Sequence, residues 1–240
     1  GWERLVAQGA GLDAAVAGMK AAMLDTAEQI GAALRQAESV YRETIWPGRL
    51  SLIEAALTTL HEQLAPHFPV MVRAQGRALD LAFPPEIAAF LVTDCYDWRG
   101  GYSDPLTLDA TLLQGLELCE TVIHEATHLA ERHTRWTAKR EGLGDRLRAY
   151  LTEHGFTRNQ AFDVAHAVLF AASAVQVRAF IDPHHVDYAS THNSPDHNLY
   201  AWFKVPDLPT WWGQFVSGII DEQTLFEHLA RQAGRQGRAM

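Results

Sequence analysis

The chain has 240 residues, 48% of them hydrophobic and 20% charged. That balance excludes disordered, fibrous and collagen-like classes, and the length is enough to bury a sizeable core. A net charge of -9 disfavours contact with phosphate backbones and anionic lipid surfaces, so nucleic acid and membranes are not expected partners.

Residues 12–46 are rich in Ala, Gln, Glu, Arg and Leu, with apolar positions three and four apart. They predict a long amphipathic helix stopped by Pro47-Gly48. Ser51 caps a second helix through about Leu64, before Pro66 and Pro69. Val70-Met71-Val72 and Ala78 to Phe83 read as short strands, with Gly76 between them. Leu91 to Tyr96 has strand composition, Gly100-Gly101 a turn, and Leu106 to Leu108 a further strand whose Pro105 suits an edge position.

Helices are expected over Leu113–Arg132, Gly144–His154 and Asn159–Phe180, the last capped by Thr157. Within it, Val164 to Val177 is an apolar stretch of fourteen residues that includes a histidine. A bilayer span needs ~18–20, so no membrane span is expected and this is read as a buried helix. Asp182 to Pro209 holds four prolines with several His, Asp and aromatic residues, a loop long enough to suggest function. Asp221 to about Ala233 closes the chain as a helix before a basic tail.

No repeat or linker interrupts this order, which gives a single domain over residues 1–240. Its class is α+β, mostly helical, with a small antiparallel sheet ahead of the helix at Leu113–Arg132. The start at Gly1-Trp2 lacks an initiator Met or signal peptide. A secreted or periplasmic protein with a removed leader fits that start, and compartment and oligomeric state stay open.

Two cysteines, Cys95 and Cys119, are too few for a disulfide framework or a cysteine zinc site, and read as small buried side chains. Twelve histidines are the compositional excess, and His is the commonest metal ligand. The chemistry concentrates in Thr121-Val122-Ile123-His124-Glu125-Ala126-Thr127-His128-Leu129. Histidines four apart on a helix share a face, with Cβ atoms ~5–6 Å apart, so both imidazoles can reach one metal at ~2.0–2.1 Å. Glu125 then points at the metal's water, placed to act as general base and later as acid. At this chain's His and Glu frequencies about 0.04 accidental HExxH matches are expected.

A catalytic zinc needs a third protein ligand and an open position. Glu141 and Glu153, 13 and 25 residues past His128, lie among charged residues and suit a solvated face. His166 lies on the stripe Phe162, His166, Leu169, Ser173 of the most apolar helix. That stripe is expected to face inward, and a buried histidine needs a partner, so His166 is the favoured third ligand.

The runs Tyr41-Arg-Glu-Thr-Ile-Trp-Pro47, Asp97-Trp-Arg-Gly-Gly-Tyr-Ser103, His124-Glu-Ala-Thr-His128 and His166-Ala-Val-Leu-Phe170 together resemble a family of uncharacterised bacterial zinc metallopeptidase-like proteins. That family shows, in the same order, Y-R-x-x-W-W-P, W-x-G-A-Y-T, H-E-x-S-H and W-H-A-x-x-F-Y-T segments. The resemblance covers roughly Tyr41 to Leu229 and implies a zincin-like fold, with His166 at the place of the family's later histidine. This chain departs from the pattern at Ala165, in place of Trp, and at Ala171-Ala172, in place of Tyr-Thr.

Other candidates carry less. Tyr188 or Tyr200 could donate a hydrogen bond to an oxyanion, Tyr188 being the one taken as catalytic beside Glu125. Each could equally anchor the loop. Glu120, one turn before His124, could orient a ligand imidazole or be a solvated carboxylate. His184-His185 face different ways and suit a loop. The reading is zinc-dependent cleavage of a peptide or protein, aligned along an edge strand within Gly100 to Asp109. One rival is a di-iron helical bundle built on the Glu125/His128 and Asp163/His166 pairs, with Glu54 or Glu117 as further carboxylates. Another is a catalytically silent zincin-like binding protein.

Overall fold

The computed structural model describes residues 24–93, 101–191 and 198–237. The part of the first predicted helix before Leu24, the segment Asp94 to Gly100 with Cys95, and residues 192–197 lie outside these.

The described residues are mostly helical with one three-stranded sheet, which places the protein in the α+β class. Helix α1 (Leu24–Val40) runs through a π-helical turn, Tyr41–Ile45, into α2 (Trp46–Thr59) and a second π turn, Leu60–Leu64. The predicted stop at Pro47-Gly48 is therefore a correction. The Trp46 N–H reaches back to the Tyr41 carbonyl, and Pro47 falls in the first turn of α2, directly after the π turn, so the chain stays helical through it. Pro69 likewise falls in the first turn of α3 (Phe68–Leu79).

Two predicted strands are overturned by α3. Val70-Met71-Val72 and Ala78-Leu79 are helical, because Met71, Gln75, Gly76 and Leu79 recur at helical spacing and form the buried face. Asp80 ends the helix in a left-handed conformation, φ 56°. A Cβ on Gly76 would sit 2.8 Å from the Leu81 carbonyl oxygen, so the glycine permits the chain to fold back at this point.

The sheet consists of β1 (Ala89–Val92), β2 (Gly101–Ser103) and β3 (Leu106–Asp109), in the order β1-β3-β2. It is mixed rather than antiparallel. β1 pairs parallel with β3, Ala89 opposite Leu106, and β2 pairs antiparallel with β3, Gly101 opposite Leu108. β3 is the central strand, not an edge. Pro105 is accommodated because it sits in the two-residue hairpin between β2 and β3. Gly101, read as a turn residue, belongs to the edge strand β2.

Helix α4 (Gly115–His133) is the spine of the core, with Leu118 through Thr127 all buried. A third π turn, Thr134–Ala138, leads toward α5 (Leu143–Glu153). Helix α6 (Arg158–Phe180) begins at a capping box in which the Thr157 hydroxyl accepts from the Gln160 N–H. It packs on α3, α4 and α5. By length and composition alone α6 could cross a membrane, being longer than the apolar stretch within it, and 67% of its most apolar window is buried inside the protein. The short helices α7 (Tyr188–Thr191) and α8 (Leu199–Trp202) interrupt the predicted loop, and α9 (Leu208–Val216) and α10 (Glu222–Gly237) follow.

Buried Gln75 fixes the helices that bear the site. Its amide nitrogen lies 3.2 Å from the Thr127 hydroxyl on α4 and 3.4 Å from that of Ser173 on α6. Thr127 and Ser173 in turn donate to the carbonyls of Ile123 and Leu169 within their own helices.

Candidate metal centre

Helices α4 and α6 bring His124, His128 and His166 together. Nε2 of His166 lies 3.0 Å from Nε2 of His124 and 3.2 Å from Nε2 of His128. The ligand atoms of all three fall within 4.8 Å of one another, close enough to hold one metal ion. Among neutral imidazoles one N–H can satisfy only one of these pairs, whereas a cation is shared by three lone pairs. Bonds of ~2.0–2.1 Å at a tetrahedral angle would set nitrogens ~3.3 Å apart, close to the two observed separations.

Each ring is held by its surroundings. His124 is buried and stacks on Phe170, with ring centres 4.0 Å apart at 20°. Burial first, and then the neighbouring His128 and His166, hold its pKa well below the ordinary value, so it is neutral, as a ligand must be. The Leu169 carbonyl beside it opposes that shift, although Nδ1 of His124 has no partner in hydrogen-bonding geometry among the described residues. His128 turns Nδ1 toward Glu131, 3.4 Å from Oε2, which leaves Nε2 facing the other histidines. Glu131 also meets the Arg148 guanidinium at 3.4 Å. Glu131 was not anticipated, although its place three residues after His128 on one helical face was a usable signal.

A cavity of about 850 Å³ opens in front of the three rings. Glu125 lines it on the side of strand β2 and is nearly buried. Burial pushes its carboxyl above the ordinary value, with His128 acting in the opposite direction. Tyr188 lines the same cavity, stacked at 12° on Phe170, and burial, followed by Glu117, Glu120 and Glu125, raises its pKa, so the hydroxyl keeps its proton. Phe162, expected to face inward, is 49% exposed at the cavity mouth, and His166 is half-buried, while Leu169 and Ser173 below them are in the core.

Several expectations change. Glu120 is neither solvated nor seen to touch a ligand histidine. It is buried and takes a 2.6 Å hydrogen bond from Nε2 of His185 and a 3.0 Å bond from the Tyr188 N–H. His185 does lie in a loop, the one before α7, but its side chain turns inward and helps pin α7, and with it Tyr188, to α4. Tyr200 is buried outside the cavity lining, and burial first, then the nearby Asp187, raises its pKa. Glu141 and Glu153 are exposed and do not join the ligand group. Asp163 lines the cavity, and burial raises its carboxyl, yet among the described residues the compact ligand group contains neither Asp163 nor Glu125. Glu54 is exposed, and Glu117 meets the Thr191 hydroxyl at 3.4 Å instead. Cys119 is a free buried thiol, pushed by burial to about 12.

The chain matches no protein-family model, no curated protein and no solved structure.

Proposed function

We propose that the protein is a zinc-dependent hydrolase, a metallopeptidase, with His124, His128 and His166 as the metal ligands. The reading is supported above all by one observation: three imidazole nitrogens converge in a cavity whose wall carries Glu125. An all-imidazole set suits zinc, as it does copper, iron and nickel, and three protein ligands leave the fourth position open as catalytic zinc requires.

Held by His124, His128 and His166, zinc would supply Lewis acidity, which would make water more acidic and a substrate carbonyl more electrophilic. The chain's own groups do the rest. Glu125, its basicity strengthened by burial, takes the water's proton on a carboxylate oxygen and passes it to the departing amine nitrogen. The protonated Tyr188 hydroxyl donates to the carbonyl oxygen as negative charge develops there. β2, an edge strand along the cavity, offers main-chain groups to an extended peptide.

The deciding experiment combines metal analysis with a single substitution. The protein should carry one zinc per chain, removable by chelation. Glu125→Gln should keep the zinc and the fold and slow peptide hydrolysis ~10²–10⁴-fold. Loss of metal in Glu125→Gln would make Glu125 a ligand and sink the assignment of roles.

A further inference from the structure

A second cavity, of about 740 Å³, lies beyond His128 and shares Ser103, His128 and Phe162 with the first. The two are therefore neighbouring chambers divided by a metal-ligand candidate and an exposed aromatic ring. Their chemistry differs sharply. The first is walled largely by aromatic residues, the second by Arg132, Arg135, Arg148 and Arg158.

Three carboxylates, Glu131, Asp145 and Glu153, also line the second cavity, so the balance is four cations against three anions. Two of the carboxylates are each shared. Asp145 takes 2.8 Å and 2.7 Å bonds from Arg135 and Arg148, and Glu131 lies 3.4 Å from both Arg148 and His128. Arg132 is committed to Asp104 and to the Ser103 carbonyl. Arg158 makes no ion pair among the described residues, and the bonds of Arg135 and Arg148 each use one terminal nitrogen of the guanidinium. Guanidinium N–H groups thus remain available in a chamber adjoining the metal-ligand candidates, and their planar fork matches a carboxylate.

We infer that this arginine-walled chamber is a subsite for a carboxylate carried by the same substrate whose amide lies over the three histidines. The inference rests on the peptidase reading for the identity of that substrate. Strand β2 lines the first chamber with Gly101, Tyr102 and Ser103 and reaches the second through the shared Ser103, so one extended chain can occupy both. At ~3.3–3.4 Å per residue, neighbouring chambers place the carboxylate within a few residues of the cleaved bond. It belongs either to a Glu or Asp side chain or to the peptide's own C-terminus.

The test is binding, read apart from hydrolysis. The Glu125→Gln protein is dialysed to equilibrium against pools of peptides of equal length. One pair of pools has Glu or Gln at the varied position, and another has a free or an amidated C-terminus. The carboxylate pool of one pair should be retained about tenfold more tightly, the pair identifying the source. Arg135→Gln/Arg158→Gln, both at exposed positions, should bring that ratio close to one, and Arg158→Glu should invert it. Equal retention of charged and neutral pools overturns the inference, as does a preference that survives the double substitution. The unsubstituted protein is assayed for cleavage of the same pools. Preferential binding without cleavage overturns the peptidase reading and leaves the subsite, whereas cleavage without preference does the reverse.

Discussion

Gly101 on β2 stands against Glu125 on α4 so closely that a Cβ built on it would lie 3.1 Å from Oε1 of Glu125 and 3.2 Å from its Cγ. The same Cβ would be 2.8 Å from the Thr121 methyl, a separation that side chains do not adopt. The glycine is what lets the edge strand reach the helix at the carboxylate.

Gly101→Ala is therefore expected to displace Glu125 while leaving the three imidazoles in place. Hydrolysis should fall by about tenfold or more, since small misplacements of a catalytic group cost up to ~10²-fold. Metal content should be unchanged. Steady-state kinetics and metal analysis on the same preparation check this, and unaltered kcat would show that Gly101 does not position the base.

His166 is the ligand supplied by a different helix, and its removal separates the three-histidine set from its alternatives. His166→Ala should lower zinc affinity by orders of magnitude, because two ligands on one helix do not close a tetrahedral site. Glu141→Ala and Glu153→Ala should bind zinc as the parent does, both side chains being exposed and outside the ligand group. Competitive titration with a chromophoric chelator reads all three. Full affinity in His166→Ala would remove that residue from the site.

Glu131 offers a subtler test, because it acts through His128. Partners of ligand imidazoles fix ring orientation and raise basicity, and losing one weakens metal binding by ~10–100-fold. Glu131→Gln keeps the shape and can still accept from Nδ1 of His128, so it should cost less than Glu131→Ala. Identical losses in the two variants would show that accepting from Nδ1 of His128 is not what Glu131 contributes.

The metal-ligand candidates were readable in advance because helical spacing is local: positions 124 and 128 share a face wherever the helix lies. His166 was readable only through the apolar character of its own helix, which marked α6 as buried without saying against what. The failures follow the same logic. Val70-Met71-Val72 looks like a strand in isolation, and only the recurrence of Met71, Gln75 and Leu79 shows the helix. Pro47 looks like a stop until the π turn before it places the proline in a first helical turn. The Glu120–His185 hydrogen bond joins residues 65 apart, and the closeness of Gly101 to Glu125 depends on how a strand docks on a helix. Neither relationship leaves a trace in spacing.

The last prediction concerns stability and pH at Asp145, beside the arginine-walled chamber. Burial raises the Asp145 carboxyl, but hydrogen bonds and charge from Arg148 and then Arg135 outweigh it and hold the pKa below its ordinary value. A carboxyl whose folded pKa is depressed contributes stability that is fully present above the unfolded value of ~3.9. That contribution is lost as pH falls through the folded pKa. Asp145→Asn has nearly the shape of the protonated acid and lacks the charge. The variant should therefore unfold at a lower temperature than the parent near pH 7, with the gap closing as pH drops below ~4 toward the folded pKa. Other carboxylates titrate over the same window, but they do so in both proteins and cancel in the difference. Thermal unfolding of the pair across that range checks the sign, and a gap that stayed constant with pH would show that the charge of Asp145 contributes nothing to the fold.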